Sequence, residues 1–152
     1  MNIILYEPEI PPNTGNIIRL CANTGARLHL VEPLGFMMDD SKLKRAGLDY
    51  RELANISRYR NWPHFRSEHP HMKVWPLSTR GTIPYHQARL APDDGLLFGP
   101  ETRGLPDELL VQPPAHALRI PMRPESRSLN LSNTVAIVLF EALRQQHFDG
   151  LI

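Results

Sequence analysis

Short apolar strands alternate with helical segments along this chain, and the alternation constrains the fold more than any other feature. Strands are predicted at Asn2–Glu7, Arg27–Val31, Lys73–Leu77, Gly95–Phe98 and Ala117–Ile120. Helices are predicted at Thr14–Thr24, Ser41–Ala46, Pro106–Val111 and Leu131–Gln146. Strands that alternate with helices favour a mostly parallel sheet with helices on both faces. The sequence therefore predicts an α/β fold in a single domain, residues 1–152.

Composition narrows the class of protein. The chain has 152 residues, of which 41% are hydrophobic, enough for one core. Its longest uninterrupted apolar run, Val135–Phe140, is far too short to span a membrane. The N-terminus opens into a strand without a basic leader, and the single Cys21 cannot form an intramolecular disulfide. Together these features favour a cytoplasmic location.

Positive charge is concentrated in one segment although the net charge is only +1. Between Lys42 and Lys73 there are eight Lys or Arg residues against three acidic ones. The aromatic residues of this segment are Tyr50, Tyr59, Trp62 and Phe65. Basic groups mixed with flat rings suit a single-stranded nucleic acid, with phosphates neutralised and bases stacked. The alternative is a solvated helical surface whose rings are partly core.

The last predicted helix is apolar on nearly every side. Its apolar residues are not confined to one stripe, and they include Val135, Ile137, Val138, Leu139, Phe140 and Leu143. Such a helix is buried on more than one side, and in a small domain the sheet covers only one. A second subunit related by a two-fold axis is the favoured cover. A long loop of the same chain is the alternative.

Three polar turns follow predicted strands, at Glu7–Asn16, Gly99–Pro106 and Pro121–Asn130. In an open parallel sheet, ligands bind outside the carboxyl ends of the strands. The third turn leads into the last helix with an excess of small polar residues: Ser126, Ser128, Asn130, Ser132 and Asn133. Capping a helix requires one of them. The surplus indicates a wall of hydrogen-bonding groups that faces a ligand.

Several common functional classes are excluded by missing motifs. No G-x-G-x-x-G follows a strand, and no P-loop, G-x-S-x-G or H-E-x-x-H pattern is present. His64, His69 and His71 are close in sequence, but no cysteine accompanies them and a proline separates two of them. They are interpreted as surface histidines, and no metal site is predicted.

Three motifs, in order, resemble those of the SpoU branch of the SPOUT RNA methyltransferases. They are Asn13-x-Gly15-x-x-x-Arg19, Phe98-Gly99-Pro100-Glu101-x-x-Gly104-Leu105, and Ile120-Pro121-Met122 with Ser128-Leu129-Asn130-Leu131-Ser132-Asn133. The resemblance runs from Asn2 to about Phe148. The small size and the opening segment Leu5–Asn16 resemble the subgroup that methylates the ribose 2′-hydroxyl of the wobble nucleotide, cytidine or modified uridine, in leucine tRNAs.

The resemblance implies a fold with a deep C-terminal trefoil knot, in which the last helix passes through a preceding loop. The knot loops would bind S-adenosylmethionine. The implied cofactor residues are Leu77, Ser78, Thr79, Phe98, Gly99, Pro100, Glu101, Gly104, Ile120, Pro121, Met122, Ser128, Leu129 and Asn130. Main-chain groups of Leu77, Gly99, Ile120 and Leu129 suit an adenine edge. Glu101 is a candidate partner for a ribose or the substrate; a helix-start contact or an ion pair with Arg103 is its alternative.

The resemblance also assigns catalysis to Arg19, with Ser132 and Asn133 orienting the hydroxyl. A guanidinium stays protonated at any physiological pH, so a grip on phosphate and on the incipient alkoxide suits Arg19 better than a general-base role. A surface ion pair is its alternative. The expected RNA contacts, to a tRNA anticodon stem-loop, are Asn13, Arg19, Lys42, Arg45, Arg123 and Arg127.

The implied assembly is a homodimer in which the knot lies near the subunit seam, so that Arg19 could serve its partner's cofactor. Two alternatives to the leading function stay open. One is the same chemistry on another tRNA or rRNA ribose. The other is a non-catalytic RNA-binding module that keeps the cofactor pocket, and the presence of Arg19, Glu101 and Asn133 together argues against it.

Overall fold

The computed structural model describes residues 1–39, 41, 45, 47–53, 55–113 and 115–152. Its strands are β1 Asn2–Tyr6, β2 Arg27–Val31, β3 Ile56–Tyr59, β4 Val74–Leu77, β5 Ile83–Pro84, β6 Gly95–Phe98, β7 Val111–Gln112, β8 Ala115–His116 and β9 Leu118–Arg119. All but β7 and β8 form one sheet in the order β3-β2-β1-β6-β4-β9-β5, and each pair in it is parallel. β7 and β8 form a small antiparallel ladder. The predicted mostly parallel sheet is confirmed.

The helices that the structure describes are α1 Pro11–Thr24, α2 Tyr50–Leu53, α3 Trp62–Glu68 and α4 Leu131–Gln145. Helix α1 begins with proline, which is tolerated in a first turn, and stops at Gly25 with φ of 74°, a left-handed conformation that glycine adopts at low cost. Of the predicted helix Ser41–Ala46, only Ser41 and Arg45 are among the described residues. Within the described chain, none of the helices has the length and apolar character needed to cross a bilayer.

The sheet is covered on both faces, as predicted. Successive residues of a strand point to opposite faces. Ile3 and Leu5 accordingly belong to the core cluster that includes apolar residues of α1 and α4. Ile4, between them, belongs to a second cluster, which contains Phe65 of α3 and Leu109. The carboxyl ends of the strands are left uncovered by these layers and carry the loops that form the site.

The prediction of a helix at Pro106–Val111 is wrong in type and extent. The segment forms a short 3₁₀ turn, Asp107–Leu109, and Val111 enters the β7–β8 ladder. Few residues separate Pro106 from the strand that follows, and Val111 pairs with His116 instead of continuing the turn. The chain is therefore too short here for an α-helix with several hydrogen bonds.

The basic segment contains strand β3 and helix α3, which the sequence prediction missed. Tyr59 and Phe65 are 4% and 0% exposed, so their rings belong to the core and not to a base-stacking surface. For these two rings, the alternative that the aromatic residues of the basic segment are partly core is confirmed. His69 is half-buried and its Nε2 lies 2.8 Å from the Tyr59 hydroxyl, so the interpretation of His69 as a simple surface histidine is wrong.

A buried polar chain joins β1, β2 and β3 beneath α3. His29, 4% exposed, has its Nε2 at 3.0 Å from Asn2 Oδ1 and its Nδ1 at 2.9 Å from the Tyr59 hydroxyl. Since the Asn2 amide nitrogen donates to the carbonyl of Asp93, the Asn2 oxygen is the acceptor and His29 Nε2 carries a proton. Burial lowers the pKa of His29 to about 4, so the ring is neutral at physiological pH.

Helix α4 buries one face and exposes apolar residues on another. Val135, Val138 and Leu139 are completely buried in the core. Ile137 and Phe140, by contrast, are 37% and 46% exposed, and Phe140 contacts the ring of Phe148 with centroids 6.4 Å apart. The described part of the chain therefore does not bury Ile137 and Phe140, although the sequence predicted that this helix is buried on more than one side.

Candidate functional site

A cavity of about 580 Å³ opens at the carboxyl ends of β4, β6 and β9. It brings together segments that are far apart in sequence. Of the predicted cofactor residues, those that line it are Leu77, Ser78, Thr79, Phe98, Gly99, Pro100, Glu101, Gly104, Ile120, Met122, Ser128, Leu129 and Asn130. Pro121 is exposed and is not part of the lining. The three turns singled out in the sequence thus share one cavity.

One chain of side-chain hydrogen bonds links the three turns. Asn13 donates through Nδ2 to Glu101 Oε1 at 3.2 Å and accepts through Oδ1 from Asn130 Nδ2 at 3.0 Å. Asn13 is only 6% exposed, so its amide is positioned by these two partners. The three motifs of the sequence meet in this contact.

Glu101 also fixes the beginning of α1. Its carboxylate accepts the backbone N–H groups of Glu9 at 2.8 Å and Ile10 at 3.1 Å. The first residues of a helix have free N–H groups, and the helix dipole favours an anion beside them. Ile10, at the N-cap position of α1, has no side chain that could do this. The helix-start alternative for Glu101 is therefore the arrangement found in this chain.

Two further contacts lock the first turn to the second. The Glu9 carboxylate accepts the Thr102 N–H at 3.1 Å and its hydroxyl at 2.8 Å, and these bonds hold the pKa of Glu9 below its ordinary value. Arg103 donates to Glu7. The alternative in which Arg103 pairs with Glu101 is wrong, because the Glu101 carboxylate accepts the N–H groups at the start of α1.

Gly99, which lines the cavity, and Gly81, in the turn after β4, both allow backbone segments to approach closely. A Cβ on Gly99 would lie 2.4 Å from the Leu105 nitrogen and 2.5 Å from the Gly104 carbonyl carbon. A Cβ on Gly81 would lie 2.5 Å from the Leu118 oxygen. The sequence reasoning missed Gly81, although a Ser-Thr-Arg-Gly turn directly after a strand was a usable signal.

The third turn divides its polar residues between the cavity and the helix start. Asn130 is the N-cap of α4: its Oδ1 accepts the Asn133 N–H at 3.2 Å and the Ser132 hydroxyl at 2.7 Å. Ser128 and Asn130 line the cavity, whereas Ser132 and Asn133 do not. One residue caps the helix, as the sequence argument required, and the two predicted hydroxyl-orienting residues lie behind it.

Arg19 lies outside the cavity of its own chain. Its Nε donates to Glu52 at 3.1 Å and its Nη2 donates to the Gly47 carbonyl at 2.8 Å, while half of the side chain is exposed. Arg19 lies six positions after Asn13 in α1, a distance of about 9 Å along the helix axis. The structure therefore does not bring Arg19 together with the other predicted site residues of the same chain.

The predicted RNA contacts are likewise divided. Asn13 and Arg127 line the cavity. Arg45 and Arg123 are exposed elsewhere, and Lys42 lies outside the described residues. Sequence reasoning also missed Arg80, whose guanidinium borders the cavity and is held by Asp107 and by the Leu105 carbonyl at 2.8 Å. Its position in the turn after β4 was the available signal.

The described part of the chain offers neither a metal-binding cluster nor a reactive thiol. No cluster of three or more His, Cys, Asp or Glu side chains there could hold a metal ion. Burial raises the pKa of Cys21 to about 12, so its thiol is protonated and unreactive at neutral pH. The cavity offers backbone groups, amides, hydroxyls, arginines and the Glu101 carboxylate, all of which suit the binding and orientation of a ligand.

Comparison with known proteins identifies this arrangement. A protein of Escherichia coli K12 called tRNA (cytidine(34)-2′-O)-methyltransferase is 54% identical over 153 residues, covering 100% of this chain and 98% of that protein. A solved structure from work on 2′-OH methylation of C/U34 on tRNA is 42% identical with a TM-score of 0.88, covering 96% and 95% of the two chains.

A more distant neighbour contains a cofactor. The AdoMet-bound rRNA methyltransferase of Sinorhizobium meliloti is 30% identical with a TM-score of 0.80, and the match covers 94% of this chain and 55% of that one. The model of the SpoU rRNA methylase family matches residues 1–140, which include all three turns and the start of α4. The chain therefore belongs to the SpoU methylase family of RNA methyltransferases.

Proposed function

We propose that this protein transfers a methyl group from S-adenosylmethionine to the ribose 2′-hydroxyl of the wobble nucleotide, cytidine or modified uridine, of leucine tRNAs. The E. coli relative named for cytidine 34 of tRNA is similar along the whole chain, which supports the choice of RNA and of position. The choice of leucine tRNAs is supported by the resemblance of the segment Leu5–Asn16 alone.

The observation that carries the proposal is the single cavity shared by three interlocked turns. Its volume of about 580 Å³ is in the range of sites for cofactors of this size. Glycines at 99 and 104 keep side chains away from its wall, so a ligand can approach the backbone. Leu77, Phe98 and Ile120 add apolar surface for a flat base, and the residues present therefore fit S-adenosylmethionine.

The cofactor brings the reactive group, and the protein contributes alignment. When bound, S-adenosylmethionine supplies a methyl group on a sulfonium, which needs an in-line approach by the ribose oxygen. Main-chain groups of Leu77, Gly99, Ile120 and Leu129 would hold its adenine edge, because backbone donors and acceptors are fixed by the fold. The transfer needs loops that hold two atoms in line and exclude water.

Arg19 would act on the RNA from the partner subunit. In its own chain it is held by Glu52 and Gly47, away from the cavity, and half of its side chain is exposed to solvent. A guanidinium that grips the adjacent phosphate stabilises the negative charge that develops on the 2′-oxygen. Asn130 holds Ser132 and Asn133 behind it at the start of α4, outside the cavity lining, so they would reach the hydroxyl only if the RNA extends past Asn130.

The assembly and the threading of the chain belong to the same proposal. A homodimer would cover Ile137, Phe140 and Phe148, the exposed apolar residues of α4 and of the segment after it. Because knots are very rare among folds, the proposal of a C-terminal trefoil knot rests on the family resemblance alone. A tRNA substrate also favours a location in the cytoplasm.

Incubation of the purified protein with methyl-labelled S-adenosylmethionine and total bacterial tRNA tests the proposal. Label at the 2′-oxygen of nucleotide 34 in leucine tRNAs, mapped by nuclease digestion and mass spectrometry, is the expected result. Label at another ribose of tRNA or rRNA would move the reaction to the first alternative. RNA binding without any label would favour the non-catalytic module.

A further inference from the structure

A second groove, of about 610 Å³, lies at the same edge of the sheet as the cavity. It is formed by the loop after β2 and by the end of β3. We call it the methionine groove, and it is lined by Glu32, Pro33, Leu34, Phe36, Met37, Met38, Arg58 and Arg60. Nothing in the cavity chemistry described above uses these residues.

The methionine groove combines an exposed apolar wall with positive charge. Met37 is 82% exposed, which is unusual for a large apolar side chain, while Leu34 and Met38 pack partly on the core and anchor the loop. Arg58 is paired with Glu32. Arg60 is exposed, and no carboxylate in the described part of the chain pairs with its guanidinium. One cation beside a flexible thioether and a ring suits a nucleotide.

The groove is rigidly joined to the catalytic cavity. The Gly35 N–H donates to the Pro8 carbonyl at 2.9 Å, and a Cβ on Gly35 would lie 2.8 Å from the Glu9 Cα. Glu9 in turn holds Thr102, which lines the cavity. The groove lies at the ends of β3 and β2, and the cavity lies at the ends of β6 and β4. In the sheet order these two strand pairs are three strand spacings apart, a distance of about 14 Å. Single-stranded RNA spans that distance with a few nucleotides.

We propose that the methionine groove binds a single-stranded nucleotide of the RNA substrate, a few positions from the one that is methylated, with its base against Met37 and Phe36 and its phosphate on Arg60. This inference rests on the proposed function, because it places the same RNA across both sites.

Other basic residues of the same segment are differently engaged. Arg66 donates to the Met72 carbonyl at 2.9 Å, and the Lys73 ammonium lies 4.1 Å from the centre of the Trp75 ring, at the amino end of β4. They do not border the groove. Arg58 and Arg60 are the residues of the basic segment that line the groove.

Binding of fluorescently labelled RNA to the full chain tests the inference. Two probes are used, a leucine-tRNA anticodon stem-loop and unfractionated tRNA, with the wild type, Met37→Ala, Arg60→Ala and the double variant. The matched control is Arg27→Ala, which removes an exposed arginine from the opposite end of strand β2. Circular dichroism and binding of S-adenosylhomocysteine monitor folding and the cavity.

The double variant is expected to raise the Kd for RNA about 10-fold. Arg60→Ala should reduce the slope of log K against log salt by about 0.7, the value for one phosphate contact of a single strand. Met37→Trp should bind at least as tightly as the wild type because it keeps a stacking surface. Arg27→Ala should change neither the Kd nor the slope.

Unchanged RNA affinity in the double variant would overturn the inference, and so would an equal loss in Arg27→Ala, which would reveal a general effect of charge. Methylation by the wild type is measured separately. If the wild type binds RNA but methylates no leucine tRNA, the proposed function fails while the comparison of Kd values for unfractionated tRNA still decides the groove.

Discussion

The chemistry of single residues at this site is set by which atoms they meet, not by their types alone. Arg19 and Arg80 are both arginines near motif segments, yet Arg80 borders the cavity and Arg19 binds Glu52 and Gly47 instead. Gly15 and Gly99 both belong to motifs, yet an added Cβ would meet nothing within 4 Å at Gly15 and backbone atoms at Gly99. These differences lead to two predictions.

Replacement of Arg19 by alanine should abolish methylation while S-adenosylhomocysteine still binds, because the guanidinium lies outside the cavity of its own chain. Loss of an electrostatic contact made in the transition state should lower kcat by about 100-fold or more. Calorimetry and single-turnover methylation of tRNA measure the two properties. Arg27→Ala is the control, and turnover like the wild type in Arg19→Ala would refute the assignment.

Gly99→Ala should destabilise the fold and weaken cofactor binding, because the new Cβ would overlap backbone atoms that cannot rotate away. A cost of about 1–3 kcal/mol in the free energy of unfolding is expected. Gly15→Ala, inside α1, should instead raise that free energy by about 0.5–1 kcal/mol. Urea unfolding of both variants makes the comparison, and equal effects would contradict it.

At the scale of elements, the beginning of helix α1 depends on a loop about ninety residues further along the chain. The N-cap residue Ile10 has no polar side chain, and Glu101 supplies the anion at the helix start. The same carboxylate holds Asn13, which holds Asn130, the cap of α4. The beginnings of the two longest helices are therefore coupled through the wall of the cavity.

Glu101→Gln should lower both stability and activity. The amide loses the charge and half of its acceptor capacity beside two N–H groups, which predicts a decrease of about 1–3 kcal/mol in the free energy of unfolding. Glu108→Gln, at an exposed position of the 3₁₀ turn, should stay within about 0.5 kcal/mol of the wild type. Denaturant titrations and kcat measurements for both variants decide whether the contact is structural.

At the scale of the whole molecule, one side of the sheet contains a buried neutral imidazole, and α4 carries exposed apolar residues that the proposed second chain would cover. His29 joins three strands beneath α3, and its charged form is disfavoured by burial. Ile137 and Phe140 leave apolar area exposed on α4. The first property predicts a dependence on pH and the second a dependence on concentration.

Stability should decrease in acid because of His29. Its pKa falls from 6.5 to about 4 on folding, so the unfolded chain binds the proton more tightly. The contribution of the neutral His29 to the free energy of unfolding is complete above about pH 6.5. It is lost as the pH falls, and at pH 5 the free energy of unfolding is lower by about 2 kcal/mol. His29→Gln should reduce this loss, whereas His86→Gln, at an exposed position, should not. Urea unfolding at several pH values measures the difference.

Phe140→Asp should convert the proposed homodimer into a monomer, because a carboxylate would be buried in an apolar interface. Val111→Asp is the control, since Val111 is 50% exposed on the small ladder away from α4. Analytical ultracentrifugation over a range of concentrations measures the mass. A monomeric wild type would refute the dimer, and a dimeric Phe140→Asp would place its interface elsewhere.

The sequence by itself determined the α/β class and most strand positions, because hydrophobic periodicity and turn residues act locally, and its resemblance to a family implied the motif residues of the cavity. Only the tertiary structure decided which faces were used. It put Tyr59 and Phe65 in the core, separated Arg19 from its own cavity, gave Glu101 to the start of α1 and revealed the close approach at Gly81. These outcomes depend on contacts between residues distant in the chain, whose energies no local pattern encodes.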